Sequence, residues 1–209
     1  MHLTRKESSK KLPIPRKGTK YLAVARLNRN EAVPVVVALR DMIKIARTAK
    51  EVREMIKNKA IKINWRTIYD LNDSIQLFNI LEAGKSYRLS LLPTGKFFFE
   101  EVKSKDVKLC KIIGKKLLNY GIQYNMHDGS NLVTKDKLSI GDSVYLDFSG
   151  KIKSHAKVEK GKEILVISGK YIGEKGKIDL VSEKDNSVKI KLENKEDKVV
   201  LNKNSFVVL

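Results

Sequence analysis

The chain has 209 residues, 42% of them hydrophobic, and carries 43 Lys and Arg against 24 Asp and Glu for a formal charge of +19. That is enough apolar material for one large core or several small ones, and so strong a self-repulsion is relieved most easily by a polyanion, with nucleic acid ahead of an anionic membrane. A membrane span is not expected, because the longest apolar run, residues 32–39, is interrupted by Pro34 and is far shorter than the roughly 18 residues required.

Of the first twenty residues, seven are basic (Arg5, Lys6, Lys10, Lys11, Arg16, Lys17 and Lys20) and one is acidic. They lack the apolar centre of a secretory signal, and Pro13, Pro15 and Gly18 prevent a continuous helix. An extended arm that orders on RNA is expected, with a disordered solubilising tail as the alternative. Tyr21 to Val24 suits a short strand or a docking patch.

Pro34 is placed for a first helical turn, and the spacing of Val35, Val36, Leu39, Met42, Ile43 and Ala46 predicts a first helix. Thr48 with Glu51 three residues later is a capping-box signature for a second, whose apolar stripe is Val52, Met55 and Ile56. Arg40, Lys44 and Arg47 (i, i+4, i+7) and Lys50, Arg53 and Lys57 (i, i+3, i+7) are then expected to line one side of each helix. With Lys59, Lys62 and Arg66, residues 35–70 hold nine cations against four acids. A solvated helical face is the bland reading. Two adjacent helices followed by a lysine-bearing hairpin favour contact with RNA phosphates. That hairpin is expected from Ala60 to Ile63 and Arg66 to Ile68 around an Asn64-Trp65 turn, and Tyr87, Leu89 and Leu91 alternate as a further strand before a Pro93-Thr94-Gly95 turn.

From Lys96 onward short strands are predicted at 97–100, 122–126, 144–147 and 164–167, separated by Asp128-Gly129, Gly141-Asp142 and Ser149-Gly150 turns. Residues 111–120 are ambiguous. Val188, Ile190 and Leu192 alternate with Lys189 and Lys191, giving one buried and one charged face, and the last segment reads as a small barrel. The fold class expected is α+β multidomain: a helical-plus-β RNA-binding motif followed by mainly β modules.

Particular residues carry a resemblance. Val35-Val36-Val37-Ala38-Leu39-Arg40-Asp41-Met42 with Ala46-Arg47-Thr48-Ala49-Lys50-Glu51 resembles the S4-type RNA-binding domain. Met1-His2-Leu3, the run from Pro13 to Lys20, Leu109-Cys110-Lys111-Ile112 and Asn125-Met126-His127-Asp128-Gly129 resemble, in order, the archaeal and eukaryotic small-subunit ribosomal protein family S4e. The resemblance implies a basic extension at 1–34, the RNA-binding domain at 35–93, a central β domain at 94–160 and a KOW module of SH3-like barrel type at 161–209. Gly169 to Ile178 looks like the KOW core. There Gly173 and Gly176, flanked by Lys170, Lys175 and Lys177, would form a phosphate-holding loop, or a hairpin that needs glycine only for its turn. The chain departs from the family at Asn58-Lys59-Ala60, where a glycine is usual, at Asn64-Trp65, where Asp-Gly is usual, and at Ser130, where arginine is usual. Trp65 suits stacking on a base or neighbouring protein and core packing alike.

Other chemistries lack their constellations. Gly84-Lys85-Ser86 has no first P-loop glycine, since Asn79 stands there. His2, His127 and His155 share no ligand spacing with Cys110, so no metal or cofactor is expected. His127-Asp128 lacks the second histidine and carboxylate of a hydrolase. Cys110 reads as a small core residue; as the lone cysteine it forms no internal disulfide, which suits a reducing compartment. The expectation is a non-enzymatic ribosomal constituent on the cytoplasmic ribosome, with small-subunit ribosomal RNA and neighbouring ribosomal proteins as partners, no membrane and no homo-oligomer. Its rivals are an RNA-modifying enzyme, such as a pseudouridine synthase, and a transcription-elongation factor.

Overall fold

Valine and isoleucine favour the pleated, half-buried surface of a sheet over a helix. The computed structural model is accordingly mainly β. It describes residues 2–102, 107–147, 149–182, 187–193 and 198–209, and among them helix is confined to Val35–Val37, Ala38–Met42, Ala49–Lys57 and the turn Lys203–Ser205. The chain divides into two units, Met1–Lys105 and Asp106–Leu209.

In the first unit the extended arm is replaced by a closed loop. His2–Thr4 pairs antiparallel with Tyr21–Ala23, and Arg5 ties the loop shut by donating to the Thr19 carbonyl at 2.7 Å, to Thr19 Oγ1 at 2.9 Å and to the Pro15 carbonyl. A second anchor runs from Phe97 N–H to the Lys11 carbonyl at 2.8 Å.

The first helix also differs from expectation. Three β-branched valines open it, and it continues as a π-helical turn, Ala38–Met42, closed by Ile43 N–H on the Ala38 carbonyl at 2.8 Å. Lys44 then adopts φ +63°, and Ile45 N–H returns to the Leu39 carbonyl at 3.0 Å, which ends the helix. Residues 32–39 are all buried, so this is a core helix with no solvated face along that stretch.

The second helix follows its sequence signature. Thr48 Oγ1 accepts from Glu51 N–H at 3.3 Å, and the Glu51 carboxylate reaches back to the Arg47 N–H at 2.8 Å. The principal sheet of this unit runs Arg66–Thr67, Ile61–Ile63, Ile80–Ala83, Lys85–Leu91, Phe97–Glu101. Because Phe97–Glu101 pairs with Lys85–Leu91 across Pro93-Thr94-Gly95, the boundary expected at 93/94 falls inside a hairpin. A smaller pair, Ala32–Pro34 with Ser74–Gln76, flanks the first helix.

The second unit holds two five-stranded antiparallel sheets. One is ordered Asn131–Thr134, Gly121–Met126, Val107–Leu118, Ser143–Asp147, Ile152–Ala156. Here the ambiguous 111–120 stretch resolves largely into a twelve-residue strand, which pairs first with Ser143–Asp147 and then with Gly121–Met126, the latter register shifting between Ile112 and Gly114. The other is ordered Lys198–Asn202, Ser187–Leu192, Lys175–Val181, Glu163–Val166, Phe206–Val208. Each sheet has its own core. Cys110, Ile112, Tyr124, Met126 and Val144 centre the first; Ile164, Val166, Ile178, Ile190 and Phe206 centre the second.

Polar side chains join these two sheets. The buried Lys111 ammonium donates to the Lys203 carbonyl at 2.6 Å and the Phe206 carbonyl at 2.5 Å, and stands 5.5 Å over the Phe206 ring. Ser143 Oγ accepts from Val208 N–H at 3.1 Å. Burial pushes the Lys111 pKa down to about 8.

Candidate nucleic-acid interface

A lysine or arginine meets a phosphate only if it is exposed and not already committed to a carboxylate. In the first unit the second helix satisfies this best. Val52 and Ile56 turn inward, while Lys50, Arg53 and Lys57 are exposed on the opposite side and form no ion pair among the described residues. Beyond the helix, Lys59 is exposed at φ +54°, in the position that glycine commonly takes after a helix. Lys62 is exposed on the hairpin that follows. Arg66 is exposed as well, but it is registered opposite Ile63 whereas Lys62 faces Thr67, so the two lie on different sides of the hairpin. The hairpin closes without glycine: Asn64 and Trp65 both take positive φ, +47° and +65°, as a type I′ turn requires. Asn64 Oδ1 accepts from Ile80 N–H at 2.9 Å and secures it.

The trio Arg40, Lys44 and Arg47 does not line a helix. Arg40 lies in the π-helical turn, Lys44 just past it and Arg47 before the second helix starts. Arg40 is also engaged: Nε and Nη2 grip the two Asp41 oxygens at 2.9 and 2.8 Å, and this hydrogen bonding raises its pKa.

The basic residues of the 1–20 loop divide in the same way. Arg5 braces the loop and Lys11 pairs with Glu31 at 2.6 Å. Lys20 stands 5.3 Å over the Tyr21 ring. Lys6, Lys10, Arg16 and Lys17 are exposed and form no ion pair among the described residues.

In the second unit the glycine loop is a hairpin element. Gly173, at φ +81°, donates to the Val166 carbonyl at 2.7 Å. Gly176 sits within the strand Lys175–Val181, where a Cβ would lie 2.6 Å from the Lys191 carbonyl, so glycine is required there by strand packing. Lys170, Lys175 and Lys177 are all exposed, with Lys170 5.8 Å over the Tyr171 ring and Lys177 3.7 Å from Glu163. Strand register reveals more than spacing did. Lys177 faces Lys191, and Lys191 faces Lys198, so three strands place a row of like charges across one face. Lys198 leans on Asp179 at 2.6 Å, while Lys191 has no acid partner among the described residues. Like charges directly opposite one another destabilise a sheet, and an anion along the row would relieve that. The alternation at 188–192 marked the charged face, but only the register aligns it across strands.

Cys110, His127 and Asp128 converge, with ligand atoms within 4.8 Å of one another, although their sequence spacing had suggested no cluster. The geometry is that of a buried ion pair. Lys108 Nζ is bonded to Asp128 Oδ2 with both side chains buried, and His127 Nδ1 accepts from Lys111 N–H at 3.1 Å. Desolvation works to raise the Asp128 pKa, but the Lys108 charge, its hydrogen bond and the Ser130 donors outweigh it and hold the pKa down. Burial pushes the Cys110 thiol up to about 12, so it remains protonated at neutral pH. An ammonium on the carboxylate and a protonated thiol oppose a cation here.

The surface thus built is that of a nucleic-acid-binding protein assembled from small β modules, and comparison with known proteins agrees. Residues 83–153 match the model of Ribosomal family S4e. A protein of Archaeoglobus fulgidus named small ribosomal subunit protein eS4 is 30% identical over 185 residues, covering 85% of this chain and 79% of its own length. Its namesake in Methanospirillum hungatei is 31% identical over 190 residues, covering 85% and 78%. The crystal structure of 30S ribosomal protein S4e from Thermoplasma acidophilum superposes with a TM-score of 0.73 at 21% identity, over 86% of this chain and 95% of that one. The chain belongs to the S4e family of ribosomal proteins.

Proposed function

We propose that this protein is a structural constituent of the small ribosomal subunit that binds ribosomal RNA and catalyses no reaction of its own. Its surroundings are then the ribosomal RNA and neighbouring ribosomal proteins of the cytoplasmic ribosome, and it acts as a single copy away from membranes. The observation that carries the RNA-binding reading is the exposed row Lys50, Arg53 and Lys57, free of ion pairs among the described residues. Lys62, on the hairpin that follows the helix, is exposed as well. The relatives' printed name supports the small subunit as the destination.

We divide the site among the loop at 1–34, the S4-type region beginning at 35, the central sheet and the last sheet. The last sheet, with its helical turn Lys203–Ser205 just before the final strand and that strand paired to Glu163–Val166, fits an SH3-like KOW module. The mechanism is displacement of condensed counterions by fixed cations, which makes affinity fall steeply with salt. The test is K50E/R53E/K57E against a labelled transcript of small-subunit ribosomal RNA. An intact melting profile with binding weakened about 100-fold or more at 0.1 M salt supports the reading; unchanged affinity overturns that face as the RNA-binding surface.

A further inference from the structure

The loop that Arg5 closes is hollow. Beneath it lies a cavity of about 340 Å³ whose wall includes Lys6, Lys10, Arg16 and Lys96, and no carboxylate is among its lining residues. Lys96 arrives from the turn before Phe97–Glu101, so two distant stretches of chain deliver like charges to one concavity. Three other cations of this unit are neutralised, Lys11 by Glu31, Lys85 by Glu101 and Arg88 by Glu100. The four cavity cations have no such partner among the described residues. Leu12, Ile14, Pro15 and Leu22 supply apolar surface in the same cavity, which lowers the local dielectric and strengthens attraction for an anion.

We propose that this cavity seats one nucleotide of RNA, with Lys6, Lys10, Arg16 and Lys96 holding the phosphates on either side of it and the apolar surface taking the sugar or base. Arg5 is then a positioning residue, since its guanidinium is spent on Thr19 and Pro15 and keeps the loop arched. The inference rests on the RNA-binding reading above and adds a defined subsite to it. Charge selects the occupant: four cations with no ion-pair partner among the described residues call for a polyanion, and an apolar surface within the cavity suits a nucleotide better than a bare acidic side chain.

The test uses the full chain and a fluorescein-labelled transcript of small-subunit ribosomal RNA, with affinity followed from 0.05 to 0.3 M salt. K6Q/K10Q/R16Q/K96Q, which releases the two phosphates flanking the seated nucleotide, should reduce the log–log salt slope by about 1.4 and weaken binding about 25-fold at 0.1 M salt. A control, K115Q/K116Q/K135Q/K137Q, removes four charges from the other unit and should weaken binding less. If the wild type ignores the transcript, the RNA reading itself fails. If the wild type binds but the cavity variant is weakened no more than the control, the seat is overturned and the reading survives. Poly-glutamate that binds the wild type and not the cavity variant, with the RNA slope unchanged, also overturns it, in favour of an acidic protein segment. Should the quadruple variant not melt cooperatively, R16Q/K96Q replaces it, with half the slope change expected.

Discussion

Gly176 shows how one absent methyl sets the packing of the last sheet. Its Cβ position lies 2.6 Å from the Lys191 carbonyl and 3.2 Å from Leu192 Cα, both backbone atoms that cannot swing aside. Gly176→Ala should therefore destabilise the second unit by about 1–3 kcal/mol, read as a lower denaturant midpoint. Lys108 and Asp128 form the second sensitive point, because each is buried against the other. Asp128→Asn strands the ammonium and is expected to lower stability by about 3–5 kcal/mol; a midpoint within experimental error of the wild type would refute a buried charge pair. Lys111 gives a pH signature. Its folded pKa, about 8, lies below the ordinary 10.5, so between these values the unfolded chain retains a proton that the folded chain has released. Stability from this group rises with pH across that window, and the burial penalty is fully present below it. Denaturant melts at pH 7.5 and 10 should show the rise in the wild type and lose most of it in K111M.

At the scale of elements, three reversals of the chain share one feature: non-glycine residues in the left-handed region. Lys44 ends the first helix, Lys59 follows the second, and Trp65 completes the hairpin turn, at φ +63°, +54° and +65°. Sequence signals for such places are glycines, so the end of the first helix was invisible and its basic trio was misplaced. After the second helix, Lys59 N–H bonds to the Ile56 carbonyl and Ala60 N–H to the Met55 carbonyl, a Schellman ending that glycine would fit without strain. Lys59→Gly should raise stability by about 0.5–1 kcal/mol, the left-handed penalty less the added freedom of the unfolded chain; a drop in the melting midpoint would contradict that geometry. By contrast Thr48, Glu51, Val52 and Ile56 declared the second helix outright, because capping and periodicity are local. The alternation from Val188 to Leu192 was legible for the same reason. Which lysine faces which across strands was not, since Lys177, Lys191 and Lys198 meet only through long-range register.

For the molecule as a whole, a charge of +19 marked the kind of partner before any element was assigned, and the order of resembling segments carried the family. Composition could not distinguish braces from free cations. Arg5, Lys11 and Arg40 are committed to Thr19, Glu31 and Asp41, whereas Lys50, Arg53 and Lys57 remain available, and that sorting depends on folded geometry. A surface of this kind holds its partner through counterion release, so the grip should loosen as salt rises while the fold, built on two apolar cores in the second unit and a buried helix in the first, persists. Gradient sedimentation of tagged protein in cell lysate tests this most directly. The protein should travel with the small ribosomal subunit at low salt and be released, still folded, as monovalent salt is raised; recovery only at the top of the gradient at low salt would contradict the account.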